Sequence, residues 1–253
     1  MNQPFIIWTM RRTGGTSLAN ILGILANKKV EHEPFNWDRS FGDITKTFQN
    51  DYKNFNLLEQ SLEARCFSAQ INVKHCYEIA GQVFNDAIID IFSKSCYKHI
   101  MLTRQNELLR LLSLYTAKYT EAWGKHGSEE IYKKYKSGIA QLPNYDIADM
   151  QYHANHCNQA TDKVRQKLID YGVNVYEVSY EDLFTDAKSL DQRKEILSNL
   201  CQHIGIDSNL IKYKEMDYSY LLMKNKQSDF DIYDKIPNLS EIKSSFSDYS
   251  FEN

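Results

Sequence analysis

The sequence lacks any apolar run long enough to cross a bilayer, since none reaches the about 18 residues of a membrane helix. Its N-terminus also lacks the basic residues and the long apolar stretch of a secretory signal. The five cysteines are odd in number, widely spread and without a Cys-x-x-Cys pair, which argues against a disulfide framework. These absences predict a cytoplasmic protein with reduced thiols and no integral membrane segment.

An excess of charge is also absent, because the 253 residues carry a formal net charge of only −3. No nucleic-acid partner is therefore expected, since the chain has no overall basic field to attract a polyanion. Hydrophobic residues make up 42% of the chain, which is enough for a sizeable core. No repeat or linker divides the sequence, so we predict a single domain over 1–253, with a mobile insertion at 124–146 and a C-terminal region at 207–253 that the patterns do not assign.

Short apolar runs alternate with helical patterns along the chain. The predicted strands are Phe5–Thr9, Cys66–Val73, Lys98–Thr103 and Asn174–Val178. The clearest predicted helices are Ser17–Ala26, Tyr77–Ser93, Glu107–Trp123, Ala148–Tyr171 and Gln192–Ile204. Such alternation is typical of an α/β fold with a central, mostly parallel sheet flanked by helices. Ligands of these sheets bind beyond the carboxyl ends of the strands, where Arg11, Arg12 and Arg104 fall.

The stretch FIIWTMRRTGGTSLANIL, residues 5–22, joins an apolar strand to a helix through a turn rich in glycine and hydroxyl groups. Backbone N–H groups and the helix dipole at such a junction favour an anion, and Arg12 adds forked donors. Gly14 and Gly15 permit positive φ and a close backbone approach. The alternative is a glycine turn in which a Ser or Thr only caps the helix. A Walker A motif is excluded, because its spacing and its lysine are absent.

The segment RRTGGTSLANIL resembles the 5′-phosphosulfate loop of sulfotransferases, which bind 3′-phosphoadenosine 5′-phosphosulfate (PAPS). Arg12 matches the basic position of that loop and Thr16 its helix-opening threonine, while Gly15 stands where many members have a threonine. The resemblance implies that Thr16 stabilises the bridging oxygen as it leaves, and that Arg12 acts as a catalytic residue on the same developing charge. The residues that it implies as cofactor contacts in this loop are Arg12, Thr13, Gly14, Gly15, Thr16 and Ser17.

A second segment, LTRQNELLRLLSLYTAKYTEAW, resembles the 3′-phosphate segment of the same family. Arg104 at the strand end and Ser113 on the following helix match its two phosphate-binding positions, in a spacing similar to bacterial trehalose-type sulfotransferases. The later segment YEDLF also resembles the family, so the likeness runs by motifs over residues 5–206. It implies a P-loop kinase-like α/β fold and PAPS as the sulfuryl donor, without a metal.

The loop segment EHEPFNW holds the candidates for the base that deprotonates the acceptor hydroxyl. Glu33 and Pro34 resemble the Glu-Pro of carbohydrate sulfotransferases, which implies Glu33 as the base and a hydroxyl on a carbohydrate, a glycolipid or another small molecule as the acceptor. His32 is the rival base, and Glu31 is the third candidate. Pro34 predicts an extended backbone at Glu33. The alternative is a charged surface loop without a catalytic role.

Several other features allow more than one interpretation. Lys74, at the predicted end of the middle strand, could contact substrate or cofactor or be an exposed strand-end lysine. His153, His156 and Cys157 have helical spacing, but two ligands one turn apart do not make a metal site, so we predict an ordinary helix face. Two other functions stay open: an ATP-dependent small-molecule kinase that uses magnesium, and a non-catalytic protein that binds PAPS or glycans.

Overall fold

The computed structural model of the protein describes residues 3–51, 54–123, 128–206 and 230–247. Its strands are β1 (Phe5–Thr9), β2 (Val30–His32), β3 (Asn72–Cys76), β4 (Lys98–Thr103) and β5 (Val175–Ser179). They pair in parallel and form one five-stranded sheet with the order β2-β3-β1-β4-β5. The predicted α/β architecture with a parallel central sheet is thus confirmed.

Helices cover both faces of this sheet. They are α1 (Gly15–Ala26), α2 (Gly42–Asn50), α3 (Phe55–Leu62), α4 (Gln82–Ser93), α5 (Glu107–Thr120), α6 (Ser128–Lys136), α7 (Ile147–Asp170), α8 (Tyr180–Phe184), α9 (Leu190–His203) and α10 (Leu239–Ser245). Among the described residues, none of the helices combines the length and the apolar character needed to cross a bilayer.

The central strand β1 is apolar along its length because both of its faces are covered. Ile6 and Trp8 pack with α4 and α7 on one face, and Phe5 and Ile7 pack with α1 and α9 on the other. None of these four side chains is more than 1% exposed. A short, continuous apolar run is the pattern expected of a parallel strand that is buried on both faces.

The strand order reverses direction between β1 and β4. After β1 the chain runs through α1 to β2 on one side of the sheet, whereas after β4 it runs to β5 on the other side. A crevice forms at such a switch point, beyond the carboxyl ends of the two strands. Arg11 and Arg12 follow β1 and Arg104 follows β4, so the fold brings these three arginines to the mouth of the crevice.

The predicted strand Cys66–Val73 is wrong. Helix α3 continues into a π-helical turn, Glu63–Phe67, and the strand is β3, which begins only at Asn72. Cys66 is buried by the helical turn, so its apolar character comes from packing on the core rather than from a strand. The shift moves Lys74 from the end of the predicted strand to the middle of a buried one.

The loop after α1 contains more regular structure than the sequence predicts. It opens with the edge strand β2 and is followed by α2, neither of which its polar and aromatic residues indicate. The predicted helix Tyr77–Ser93 begins only at Gln82, and the predicted helix Glu107–Trp123 ends at Thr120, where Glu121 takes a φ of 57°. Strand β2 pairs with β3 so that His32 lies opposite Lys74, and both strands contact α1.

A third apolar cluster lies at the end of the sheet, where α5, α6, α7 and α10 pack with the 3-10 helix Phe230–Lys235. In the predicted insertion at 124–146, Tyr132, Leu142 and Tyr145 are buried in this cluster. Residues 124–127 of that insertion, and 207–229 and 248–253 of the C-terminal region, lie outside the described residues.

Candidate active site

A cavity of about 450 Å³ opens at the switch point of the sheet. Its size is within the range of small-molecule sites. The predicted site residues that line it are Arg12, Gly14, Gly15, Thr16, Ser17, His32, Glu33, Arg104 and Ser113. The lining residues that sequence reasoning passed over or left open include Arg39, Lys74, Trp123 and Tyr180. The cavity therefore gathers residues that lie in or directly after all five strands, together with residues of α1 and α5.

The start of α1 is shaped by two glycines at which any Cβ atom would lie too close to a neighbouring side chain. Gly14 occupies the N-cap position with φ 83°, and a Cβ atom there would lie 2.7 Å from the Tyr180 ring. A Cβ atom on Gly15 would lie 2.9 Å from Cγ2 of Thr9. Because a glycine caps α1, the alternative in which a hydroxyl side chain is the cap is not what the structure contains. The first turn of α1 faces the cavity, as in an anion-binding helix N-terminus.

Thr13 differs from the other predicted hydroxyl residues of this turn. Its side chain is fully buried, does not line the cavity, and donates a hydrogen bond of 2.8 Å to the carbonyl of Met10. It also contacts the hydroxyl of Thr9 at the end of β1. The side chain of Thr13 thus stabilises the turn from within and is not available to a ligand in the cavity.

Arg12, Arg104 and Ser113 meet on one wall of the cavity although they come from three elements. Nε of Arg12 donates to Oγ of Ser113 at 2.8 Å, and Nη1 of Arg104 donates to the carbonyl of Arg12 at 2.9 Å. The guanidinium of Arg104 also lies 4.4 Å from the centre of the Tyr180 ring. Ser113 lies about two turns into α5, away from Arg104 at the end of β4. Arg12 connects the two residues, because its side chain contacts Ser113 and its carbonyl accepts from Arg104.

The backbone conformation and the burial of Arg12 on this wall are both energetically unfavourable. Arg12 has φ 67°, a left-handed conformation that is uncommon outside glycine. Burial lowers the pKa of the Arg12 guanidinium, and the neighbouring Arg104 lowers it further. Arg104 forms no ion pair with a carboxylate of the described chain, and its buried Nε has no hydrogen-bond partner there. Positive charge without an acidic partner is the electrostatic signature of an anion site.

Glu33 on the opposite wall is held by three neighbours. Lys74 forms an ion pair with its Oε1, Sγ of Cys76 donates to the same oxygen at 3.3 Å, and Nδ2 of Asn36 donates to Oε2 at 3.0 Å. Burial acts to raise the pKa of Glu33, but the charge and hydrogen bond of Lys74 outweigh it, so that the pKa is lowered. Glu33 is therefore held as an ionised carboxylate.

The backbone at Glu33 is not extended, contrary to the expectation from Pro34. Glu33 has φ 52°, and its N–H donates to the carbonyl of Lys74 at 2.7 Å. That hydrogen bond continues the pairing of β2 with β3 and turns the Glu33 side chain away from the direction the strand would give it. Such strained conformations occur at functional sites, where the surrounding structure enforces them.

The two rival base candidates lie in different surroundings. His32 lines the cavity, and its buried Nδ1 has no hydrogen-bond partner among the described residues. Burial and the nearby charge of Lys74 lower the pKa of His32, which keeps its ring neutral. Glu31 does not line the cavity and instead pairs with Lys29 at 2.6 Å. The geometry thus leaves Glu33 and His32 as candidates and turns Glu31 outwards.

The sequence does not indicate that Lys74 is a buried residue of the cavity wall. Its side chain is only 4% exposed, and its Nζ lies between the Glu33 carboxylate and the hydroxyl of Thr16, 3.5 Å from the latter. Burial opposes its charge, but the adjacent Glu33 raises the pKa of Lys74 above its ordinary value. Lys74 therefore links the acid–base side of the cavity to the N-terminus of α1.

Comparisons of the chain with protein-family models, with curated proteins and with solved structures gave no match.

Proposed function

We propose that the protein is a PAPS-dependent sulfotransferase with a P-loop kinase-like fold. The observation that carries this proposal is the convergence of Arg12, Arg104 and Ser113 on one wall of a cavity whose opposite wall presents Glu33. The two sequence segments with sulfotransferase likeness lie far apart in the chain, and their basic residues are in contact. The parallel sheet with its switch point between β1 and β4 supports the proposed fold.

The basic wall, which is formed by Arg12, Arg104 and Ser113, suits a donor that carries two separated anionic groups. The first turn of α1 and Arg12 are positioned to hold the 5′-phosphosulfate, because backbone N–H groups and the helix dipole meet there. Arg104 and Ser113 are positioned to hold the 3′-phosphate, with the hydroxyl of Ser113 and the fork of Arg104 as donors. The ring of Tyr180, beneath Arg104, fixes the direction of that guanidinium.

The opposite wall, with Glu33, His32 and Lys74, is the acid–base wall and is proposed to carry out the transfer step. Glu33 accepts the proton of the acceptor hydroxyl while the oxygen of that hydroxyl bonds to sulfur. At the same time the bond from sulfur to the bridging phosphate oxygen breaks. Thr16 and Lys74, whose hydroxyl and ammonium groups are 3.5 Å apart, stabilise the negative charge that develops on the leaving oxygen. As in phosphoryl transfer, positioning and electrostatics supply most of the rate enhancement.

The composition of the cavity argues against the kinase alternative. Within the described residues, five basic side chains line the cavity, at Arg11, Arg12, Arg39, Lys74 and Arg104, and Glu33 is the one carboxylate. Magnesium in nucleotide sites is bound by carboxylate oxygens together with the phosphates. The only such group here is already paired with Lys74. The lining suits a multiply charged anion whose charge is met by side chains.

An acceptor that carries hydroxyl groups on a ring would find a flat apolar surface at the rim. Trp123 lines the cavity, yet its side chain is half exposed. A large aromatic side chain of this kind can pack on the apolar face of a sugar while the sugar hydroxyls stay hydrated. This position supports a carbohydrate or glycolipid acceptor.

Transfer of labelled sulfur from PAPS tests the proposal directly. The full-length protein is incubated with PAPS and a panel of sugars and glycolipids, and with ATP and magnesium in a parallel panel. Sulfation of one acceptor, without phosphorylation in the parallel panel, is the expected result. Phosphorylation alone would establish the kinase, and tight binding of PAPS without transfer to any acceptor would favour a binding protein.

A further inference from the structure

Three side chains that commonly bind metals converge outside the cavity, on the far side of Arg11. Glu78 follows β3, whereas His153 and Cys157 are one turn apart on α7. Oε2 of Glu78 lies 3.3 Å from Sγ of Cys157 and 3.5 Å from Nε2 of His153, and the latter two atoms are 3.5 Å apart. The sequence predicts an ordinary helix face here because two potential ligands are too few for a metal site. The structure adds Glu78 as a third side chain of the required type.

These three distances match one face of a tetrahedral zinc site. Zinc bonds of the usual length to oxygen, nitrogen and sulfur, at tetrahedral angles, hold the three ligand atoms about 3.3–3.6 Å apart. The observed triangle has edges of 3.3, 3.5 and 3.5 Å. Carboxylate, imidazole and thiolate are also the ligand types that zinc prefers.

The two oxygens of Glu78 have different partners. Oε1 accepts hydrogen bonds from the backbone N–H of Arg11 at 2.5 Å and from its Nε at 2.8 Å. Oε2 is thereby left to face His153 and Cys157. A ligating carboxylate is typically oriented in this way, with one oxygen on the metal and the other held by hydrogen bonds. The Glu78 side chain is only 1% exposed, so this orientation is fixed by packing.

Each of the two guanidinium groups beside the triangle is paired with a carboxylate. Arg110 lies 3.9 Å from Oε2 of Glu78, but it is held by Glu107 through two hydrogen bonds of 2.6 and 2.7 Å. Two guanidinium groups, Arg11 and Arg110, therefore face two carboxylates, Glu78 and Glu107.

We propose that Glu78, His153 and Cys157 bind one zinc ion, with water as the fourth ligand. The imidazole of His153 is about one-fifth exposed, at 21%, which gives the ion and the water a path from solvent. The bound ion joins α7 to the segment after β3 and, through Glu78, to the backbone of Arg11. It stabilises the base of the anion-binding turn and takes no part in the transfer reaction.

Cobalt substitution tests this site without any activity measurement. The chelator-treated full-length protein is titrated with CoCl2, and the absorption spectrum is recorded before and after addition of ZnCl2. The expected result is one equivalent of bound cobalt, with a thiolate-to-cobalt charge-transfer band and tetrahedral d–d bands that zinc abolishes. Because folded protein alone holds the triangle, zinc should also raise the melting temperature.

Matched variants assign the signal to these residues. Cys157→Ser should abolish the charge-transfer band and weaken zinc binding by about 100-fold or more, whereas Cys201→Ser and His156→Ala, which alter a buried thiol elsewhere and an exposed imidazole of α7, should behave as the wild type. Absence of the band in the wild type, or its persistence in Cys157→Ser, would overturn the proposal. If Cys157→Ser does not fold, the partly exposed His153→Ala decides, and unchanged zinc affinity in that variant overturns the site.

Discussion

The two walls of the cavity hold their charges in opposite ways. On the basic wall, Arg104 has no acidic partner in the described chain and stacks on Tyr180 beside Arg12. On the other wall, Lys74 and Glu33 neutralise each other as a largely buried ion pair. A surplus of positive charge suits a ligand that is permanently anionic, whereas a neutral pair suits a group that takes up a proton and releases it. In the proposed reaction the basic wall anchors the donor and the opposite wall carries out the proton transfer, so variants of the two walls should affect different steps.

The largest expected effect is on the acid–base wall. Glu33→Gln should lower turnover by about 10²–10⁴, because glutamine cannot accept the proton, while PAPS binding changes little. The measurement is steady-state transfer of labelled sulfur beside calorimetric titration with PAPS. His32→Asn is the matched comparison, since His32 lines the same wall. Full activity of Glu33→Gln with loss of activity in His32→Asn would assign the base to His32.

A folding control accompanies that variant, because Glu33→Gln leaves the buried Lys74 without its charge partner. The double variant Glu33→Gln with Lys74→Met removes both charges, a change that buried pairs often tolerate. Its melting temperature shows whether a loss of turnover in the single variant arises from unfolding. If both double and single variants melt as the wild type does, the loss belongs to the chemistry.

The next effect concerns the basic wall. Arg104→Ala should remove a charge-assisted contact of about 1.5–3 kcal/mol and weaken binding of 3′,5′-adenosine bisphosphate (PAP) roughly tenfold to a hundredfold. Binding of 5′-AMP should hardly change, because AMP has no 3′-phosphate to lose the contact. Calorimetry with both nucleotides measures the difference. An equal loss for PAP and AMP would mean that Arg104 only supports the turn through the Arg12 carbonyl.

Thr16→Ala tests whether the hydroxyl beside Lys74 acts on the leaving oxygen. Turnover should fall more than PAP affinity, since the contact strengthens only as charge develops. The melting temperature should stay close to that of the wild type, because Gly14 and not Thr16 is the N-cap of α1. A variant that melts earlier but keeps its turnover would give Thr16 a purely structural role.

The glycine turn gives a smaller effect that is measured on stability. Gly14→Ala should destabilise the fold by about 1–3 kcal/mol, because alanine would be strained at φ 83° and its Cβ would press on Tyr180. Gly138→Ala is the matched control, with φ 78° but no described atom within 4 Å of the new Cβ. Denaturant unfolding of both variants isolates the contact with Tyr180, and equal losses would mean that this contact costs nothing.

The pH dependence gives the smallest and most specific test. Lys74 lowers the pKa of Glu33, so the acidic limb of the wild-type activity profile should lie below the ordinary glutamate range. The stability contributed by the pair is present above the unfolded pKa and is lost as the pH falls through the folded one. In Lys74→Met the acidic limb should move to higher pH. A limb that does not move would show that Glu33 is not the titrating group.

Much of the basic wall could be predicted from the sequence because its determinants are local. The strands before Arg12 and Arg104 are continuous apolar runs with abrupt polar ends, and β1 and β4 begin and end at the predicted residues. The two glycines of the turn likewise predict its left-handed backbone at Gly14. Whether the carboxyl ends of β1 and β4 are neighbours depends on the strand order, which no local sequence pattern predicts.

The other wall could not be predicted to the same extent, because its geometry depends on partners far along the chain. Lys74 is buried only since Glu33, 41 residues away, supplies its counter-charge. Its strand was misplaced because the short alternation around Cys66 does not distinguish a strand from a helical turn. The position of Glu78 could not be predicted either, because its neighbours His153 and Cys157 lie on α7, far along the chain.

Calorimetric titration of the wild-type protein with PAP and with 5′-AMP, in the absence of magnesium, shows whether the basic wall binds two separate phosphate groups. One phosphate is proposed to bind at the start of α1 and the other at Arg104 and Ser113. We expect PAP to bind at least about tenfold more tightly than AMP, as one added charge-assisted contact requires. Equal affinities for the two nucleotides would contradict this expectation.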